Sequence, residues 1–269
     1  MSLGKTVRIN RIFSHPSGNL CSVAVDHFMG YDAGLTAGLR DVKSTLAAIM
    51  PGAPDAVTLH KGMAAALWQP YAGKLPLILQ STLMRPDDSA LQQIATAQDA
   101  IRLGADALAV AAFVRGSSEA QYLRNLADAV REASHYELPV ICHIYPRDFS
   151  GAKPCISFRA EDVEWAVRCA VEAGADIVKA PFCGDAKAQR DIVSACPVPL
   201  VAAGGPQCAT LEAALGQMAD AVESGVRGAT IGRNIWGTPH MKEALIAYRA
   251  VIHDGVTSRD ALAISGYPA

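Results

Sequence analysis

The sequence predicts a (β/α)8 barrel, and three observations carry the prediction. Eight short apolar runs recur along its 269 residues. Amphipathic stretches with helical spacing separate them. Three of the runs follow a glycine placed where a helix would end. Strict alternation of this kind builds a parallel sheet covered by helices, and eight repeats close it into a barrel.

The strands are expected at 21–26 "CSVAVD", 56–60 "AVTLH", 75–80 "LPLILQ", 106–111 "DALAVA", 138–143 "LPVICH", 175–179 "ADIVK", 198–202 "VPLVA" and 227–231 "RGATI". They are apolar almost throughout, as strands covered on both faces should be. Helices are expected over 88–103, 118–134, 160–173, 208–224 and 239–253. The echoes "LGADALAV", "AGADIVKA" and "SGVRGATIG" place Gly104, Gly174 and Gly225 at left-handed positions that end helices. "LP" at 75–76 and 138–139 marks strand starts, where proline's missing N–H does least harm. Asp41, Asp87 and Glu161 sit near expected helix starts, where a negative charge suits the dipole. Residues 1–20 read as an extension forming a flap or short helix over the barrel's bottom, and 255–269 as a C-terminal tail of one domain. A doubly wound open sheet is the alternative, but no G-x-G-x-x-G follows the first strand.

Composition narrows the function classes. Aromatics are 6% and hydrophobic residues 51% of the chain, a balance that suits helix-on-sheet packing. A net charge of −2 argues against an electrostatic nucleic-acid binder. No long uncharged apolar stretch predicts a membrane span. "MSLGKTVRINRIF" lacks the apolar core of a signal peptide. "GKT" at 4–6 matches only the end of a phosphate loop. The seven cysteines form no C-x-x-C pair and read as reduced thiols of a cytoplasmic protein.

Chemistry in such barrels sits at the C-terminal ends of the strands. In order, these ends carry Asp26-His27, His60-Lys61-Gly62, Gln80-Ser81-Thr82, His143 to Arg147, Lys179, Ala203 to Pro206, and Gly232-Arg233-Asn234. Glycine loops after the last two strands let backbone N–H groups approach phosphate oxygens, and an arginine can pair with them. Gly204, Gly205, Gly232 and Arg233 are therefore candidate phosphate ligands, against a reading as two tight turns. Lys179 stands among apolar neighbours. It either snorkels to water or loses its proton, becoming the neutral amine that attacks a carbonyl to form a Schiff base. Tyr145 and Asp26 are the candidate proton shuttles, against a rim aromatic and a structural ion pair.

Those strand ends, taken together, resemble a known family. "VDHFMG" at 25–30, "GLTAGLRD" at 34–41, "DAVTLHKG" at 55–62, "IYPR" at 144–147, "GADIVKAPFCGD" at 174–185, "AGGP" at 203–206 and "GATIGRNIW" at 228–236 are similar to class I fructose-bisphosphate aldolases of bacterial and archaeal type. These belong to the deoxyribose-phosphate and tagatose aldolase superfamily. The resemblance spans nearly the whole chain. It implies a Schiff-base role for Lys179, acid–base work for Tyr145, carbinolamine assistance from Asp26, and phosphate loops at Gly204, Gly205, Gly232 and Arg233. It also implies a phosphorylated ketose or triose substrate such as dihydroxyacetone phosphate, no cofactor, and a homo-oligomer, pentameric or decameric.

There are departures. His143 stands where the family often has Trp, Asp148 where it often has Gly, and Gln207 where Lys is common. His143 and Arg147 are accordingly candidates for contacting substrate, and fructose 1,6-bisphosphate itself is in doubt. The same framework serves an aldolase-like synthase in aromatic amino-acid precursor formation and a coenzyme A-dependent thiolase acting on a phosphorylated signal. His27, His60 and His143 could instead serve a metal-dependent hydrolase or class II aldolase, though no H-x-H or H-x-x-x-H spacing occurs. Cys183 as thiol nucleophile and a non-catalytic phosphosugar-binding barrel complete the alternatives.

Overall fold

A computed structural model describes residues 2–30 and 36–268. Gly34 and Leu35 of the 34–41 segment, Met1 of the N-terminal extension and Ala269 of the tail lie outside the described residues. Eight parallel strands close into a barrel: β1 (Leu20–Ala24), β2 (Ala56–His60), β3 (Leu77–Gln80), β4 (Ala107–Val114), β5 (Val140–Asp148), β6 (Ile177–Ala180), β7 (Leu200–Ala203) and β8 (Gly228–Ile231). Each pairs with its neighbour in sequence, and β8 pairs with β1 to complete the ring. All eight fall on the expected runs. Among the described residues no helix is long and apolar enough to cross a membrane.

The period of two along each strand divides the interior from the helical shell. Leu20, Ala56, Ile78, Ala107, Ala109, Ile141, Ile177 and Val201 form one buried cluster inside the barrel's lower half. Their neighbours Cys21, Val57, Leu77, Leu108, Val140, Val178 and Leu200 belong to the larger cluster under the helices. Alternating side-chain direction requires this split. Two residues farther on, the inward face changes character to Ser22, Thr58, Gln80, His143 and Lys179, all buried. The barrel is thus oily at its bottom and polar at its mouth.

The first helix, Leu3–Ile12, adds Ile9 and Ile12 to the lower cluster, with Phe13 beyond it. Polar tethers hold it there: Lys5 with Asp176 at 2.8 Å and Arg11 with Asp106 at 2.9 Å. Gly104, Gly174 and Gly225 all have positive φ, at 68°, 94° and 95°. Each stands one residue beyond a helix cap, after the helices Ala97–Arg102, Ala160–Glu172 and Leu211–Glu223.

The segment 88–103 differs from expectation. It is not one helix. Thr82–Met84 and Leu91–Gln93 form an antiparallel ribbon above the barrel, and the helix begins at Ala97. Asp87 accordingly sits in the ribbon's turn, accepting from the Ser89 N–H, rather than at a helix start. The true start is Thr96, which with Asp99 makes a reciprocal capping box.

Gly228 opens β8 at φ 87°, and a Cβ there would lie 2.1 Å from the Leu20 carbonyl oxygen. Gly228→Ala is expected to destabilise the fold by roughly 2–4 kcal/mol, because both the backbone angle and the β1–β8 closure oppose it. The midpoint of urea unfolding checks this.

Candidate active site

Lys179 lies on β6 with 4% of its surface exposed. Its inward direction follows from Ile177, two residues earlier on the same face. Burial pulls the pKa of its amine down, Asp26 pulls it up, and Arg233 lowers it further; the result is about 8. Register places His143 of β5 directly beside it. Burial, then the Lys179 charge, holds the His143 imidazole well below its ordinary range, so it is neutral at pH 7.

Asp26 follows β1 and is buried. Burial raises its pKa, but a hydrogen bond from His27 and the charges of His27, His60 and Lys179 outweigh that and hold it well below the usual carboxylate range. Its Oδ1 lies 3.3 Å from His27 Nδ1, and its Oδ2 accepts from Gln80 Nε2 at 2.8 Å. His60 Nε2 donates to the Asp26 carbonyl at 3.0 Å. The Gln80 amide is itself oriented, because its Oε1 accepts from Thr82 N–H at 3.3 Å and Thr82 Oγ1 at 3.1 Å. Thr82 Oγ1 then accepts from Ala111 N–H at 2.9 Å. Groups from four successive strand ends thus hold Asp26 in place.

Above these groups lies a cavity of about 470 Å3, lined by Tyr145, Lys179, His27 and the loops after β7 and β8. Gly204, Gly205, Gly232 and Arg233 all line it. Gly205 has φ 70°, and a Cβ on Gly232 would meet the His27 ring at 2.6 Å. Arg233 Nη2 donates to the Gly205 carbonyl at 3.0 Å, while its buried Nε has no hydrogen-bond partner among the described residues. Asn234 clasps the two loops together. Its Nδ2 donates to the carbonyls of Gly204 and Pro206, and its Oδ1 accepts from Cys208 N–H.

The structure therefore gathers Lys179, Tyr145, Asp26, Gly204, Gly205, Gly232 and Arg233 at one mouth. It does not bring Arg147 there. That guanidinium is fully buried away from the cavity. It donates to the carbonyls of Arg115 and Pro86, to Asp88 Oδ1 and to Ser118 Oγ. The expectation that Arg147 contacts substrate is corrected: its donors are spent on tying loops. His143 lies beside Lys179 and does not line the cavity. His27 and His60 are engaged with Asp26, and no described group of three or more His, Cys, Asp or Glu is placed to hold a metal ion. Cys183 lines the cavity, with its Sγ near the Asp185 carbonyl. Sequence reasoning gave no role to Gln80 or Asn234. Inward parity with Ile78 is the signal that could have found Gln80.

A closed barrel with a buried, partly neutral lysine on its sixth strand is the build of a Schiff-base class I aldolase fold. The chain belongs to the DeoC/LacD family of aldolases, whose model matches residues 20–238. It is 31% identical to a 2-amino-3,7-dideoxy-D-threo-hept-6-ulosonate synthase of Halobacterium salinarum, covering 98% of this chain and 97% of that one. It is 27% identical to a 2-amino-4,5-dihydroxy-6-oxo-7-(phosphonooxy)heptanoate synthase of Streptomyces griseus, covering 97% and 95%. An archaeal fructose-1,6-bisphosphate aldolase, solved with its catalytic Lys covalently bound to the carbinolamine intermediate, superposes with a TM-score of 0.81 at 25% identity, over 93% of this chain and 99% of that one.

Asn234→Ala removes three bonds between the loops. It is expected to weaken binding of inorganic phosphate about tenfold, read by titration calorimetry. Unchanged binding would take these loops out of the phosphate role.

Proposed function

We propose that the protein makes or breaks a carbon–carbon bond next to the ketone of a singly phosphorylated substrate, with dihydroxyacetone phosphate as the three-carbon donor. The observation that carries this is Lys179: a buried amine with a pKa of about 8, in a cavity whose next two strand ends supply glycine loops and Arg233. The Streptomyces relative's product name sets a 6-oxo group beside a 7-phosphonooxy carbon, the same end that dihydroxyacetone phosphate presents.

Lys179 Nζ attacks the ketone carbon, and loss of water from the carbinolamine gives an iminium. Tyr145, having given its proton to the departing water, accepts one from the adjacent carbon, and an enamine forms. That carbon attacks the aldehyde, the carbonyl electron pair moves to oxygen, and Tyr145 supplies the proton that oxygen takes up. Water then hydrolyses the iminium and frees Lys179. Asp26, held ionised at Lys179, steadies the cationic iminium and assists the carbinolamine steps. Arg233 and the glycine loops hold the phosphate.

Lowering the amine's pKa from 10.5 to about 8 raises its neutral fraction at pH 7 about 300-fold. Adduct formation is therefore expected to rise with pH up to about 8 and then level off. Borohydride reduction in the presence of dihydroxyacetone phosphate, followed by peptide mapping, should place the adduct on Lys179, and Lys179→Met should abolish it. No adduct, with turnover lost to a chelator, would sink this reading in favour of a metal enzyme. Turnover that requires coenzyme A would favour a thiolase. Tyr145→Phe is expected to keep the adduct while slowing carbon–carbon bond formation by roughly 10²–10⁴-fold, measured as product formation per trapped site.

A further inference from the structure

We propose that the second reactant at this site is an aldehyde with an uncharged, apolar body, rather than one bearing a second phosphate or an amino-acid end. This rests on the aldol reading above and names its partner class.

The ring order of the strands sets the direction. Phosphate loops follow β7 and β8, Lys179 is on β6 and Tyr145 on β5. A donor held by its phosphate at Arg233 and by an imine at Lys179 presents its reactive carbon toward Tyr145. The second reactant must lie beyond it. There the chain turns back after β5, and Cys155–Ile156 pairs with Arg147 and Asp148. Ile156 and Phe158 from this return, with Phe182 after β6, line the cavity on that side. They offer apolar surface and no hydrogen bond.

The charged groups lie elsewhere. Among the described lining residues the basic groups are Lys179, Arg233 and His27, and the acid is Asp220, on the helix that follows β7. On the β5 side, Arg147 is spent on loop carbonyls and Asp88. Arg115 pairs with Asp162 at 2.9 Å and covers the Trp165 ring, and Arg159 pairs with Glu161. Lys153 is exposed on the turn before Cys155 and does not line the cavity. A dianion brought against Ile156 and Phe158 would lose hydration with nothing to replace it. A methylene brought there gains about fourfold in affinity. The two synthase relatives name products with amino and carboxylate groups, and Ile156, Phe158 and Phe182 offer no side-chain partner to groups of that kind.

The test measures kcat/KM for carbon–carbon bond formation with dihydroxyacetone phosphate and four aldehydes: pentanal, 3-phenylpropanal, glyceraldehyde 3-phosphate and 2-amino-4-oxobutanoate. Pentanal and 3-phenylpropanal are expected to exceed both charged aldehydes by about tenfold or more. Phe158 is 44% exposed, so its replacement leaves the core intact. Phe158→Ala should cut the apolar aldehydes about tenfold while the borohydride-trapped Lys179 adduct forms in the same yield. Phe158→Arg should raise turnover of glyceraldehyde 3-phosphate. A charged aldehyde turned over best by the unaltered protein, or a ranking that Phe158→Ala leaves unchanged, overturns the proposal. So does adduct formation with none of the apolar aldehydes accepted. Absence of the adduct itself would instead sink the aldol reading, and this inference with it.

Discussion

One proton on Lys179 is contested by its surroundings, and the site is built around that contest. Burial favours the neutral amine, and Arg233 adds to the pressure. Asp26 favours the ammonium. In the proposed reaction either influence alone would fail: an isolated buried amine would leave the iminium unsupported, and a fully paired ammonium would not attack a carbonyl. The balance at a pKa of about 8 leaves roughly a tenth of the amine neutral at pH 7. It also keeps the Asp26 carboxylate beside the amine, where the proposed iminium would form. The remaining mouth residues serve these two groups. His27, His60 and Gln80 keep Asp26 ionised, and Thr82 and Ala111 keep Gln80 turned the right way.

That arrangement costs stability. The folded-state pKa of Lys179 lies below its unfolded value of 10.5, so between about pH 8 and 10.5 the unfolded chain binds more protons than the folded one. The group's contribution to stability therefore rises with pH across that window, and at pH 7 it costs about 3 kcal/mol relative to a solvated lysine. Asp26 works in the opposite direction. Its depressed pKa contributes stability above the ordinary carboxylate range, and that contribution is lost progressively as pH falls below that range. The oily lower barrel, closed by Ile9 and Ile12 of the first helix and by Phe13 just beyond it, supplies apolar burial that opposes this cost.

Most of this was legible beforehand because one physical rule governs it. Strands covered on both faces must be apolar, so all eight runs stood out, and any polar residue at their ends pointed to the mouth. Lys179, Asp26 and Tyr145 were visible for that reason. The ribbon over 82–93 was not, because Pro86, Asp87 and Asp88 read equally as the start of a helix. Only the pairing of Thr82–Met84 with Leu91–Gln93 settles that ambiguity. Asn234 has no task that its place in "GATIGRNIW" reveals. Its task depends on three backbone atoms 26 to 30 residues away, which local spacing does not reveal.

Arg147 shows where the rule stops. It shares parity with His143 and Tyr145, and by alternation alone it should face the mouth. But β5 runs past the barrel rim and pairs at Arg147 and Asp148 with the returning strand. Beyond the rim there is no interior to face, and an arginine with five donors instead satisfies the loops above it. Asp88, at φ 61°, and Arg115, at φ 64°, are both held in left-handed conformations beside it. The guanidinium therefore supports strained loop backbone at the expense of a ligand contact. Its withdrawal leaves the β5 side of the cavity to Ile156 and Phe158, which is why a residue that looked like a substrate ligand defines the site by not being one.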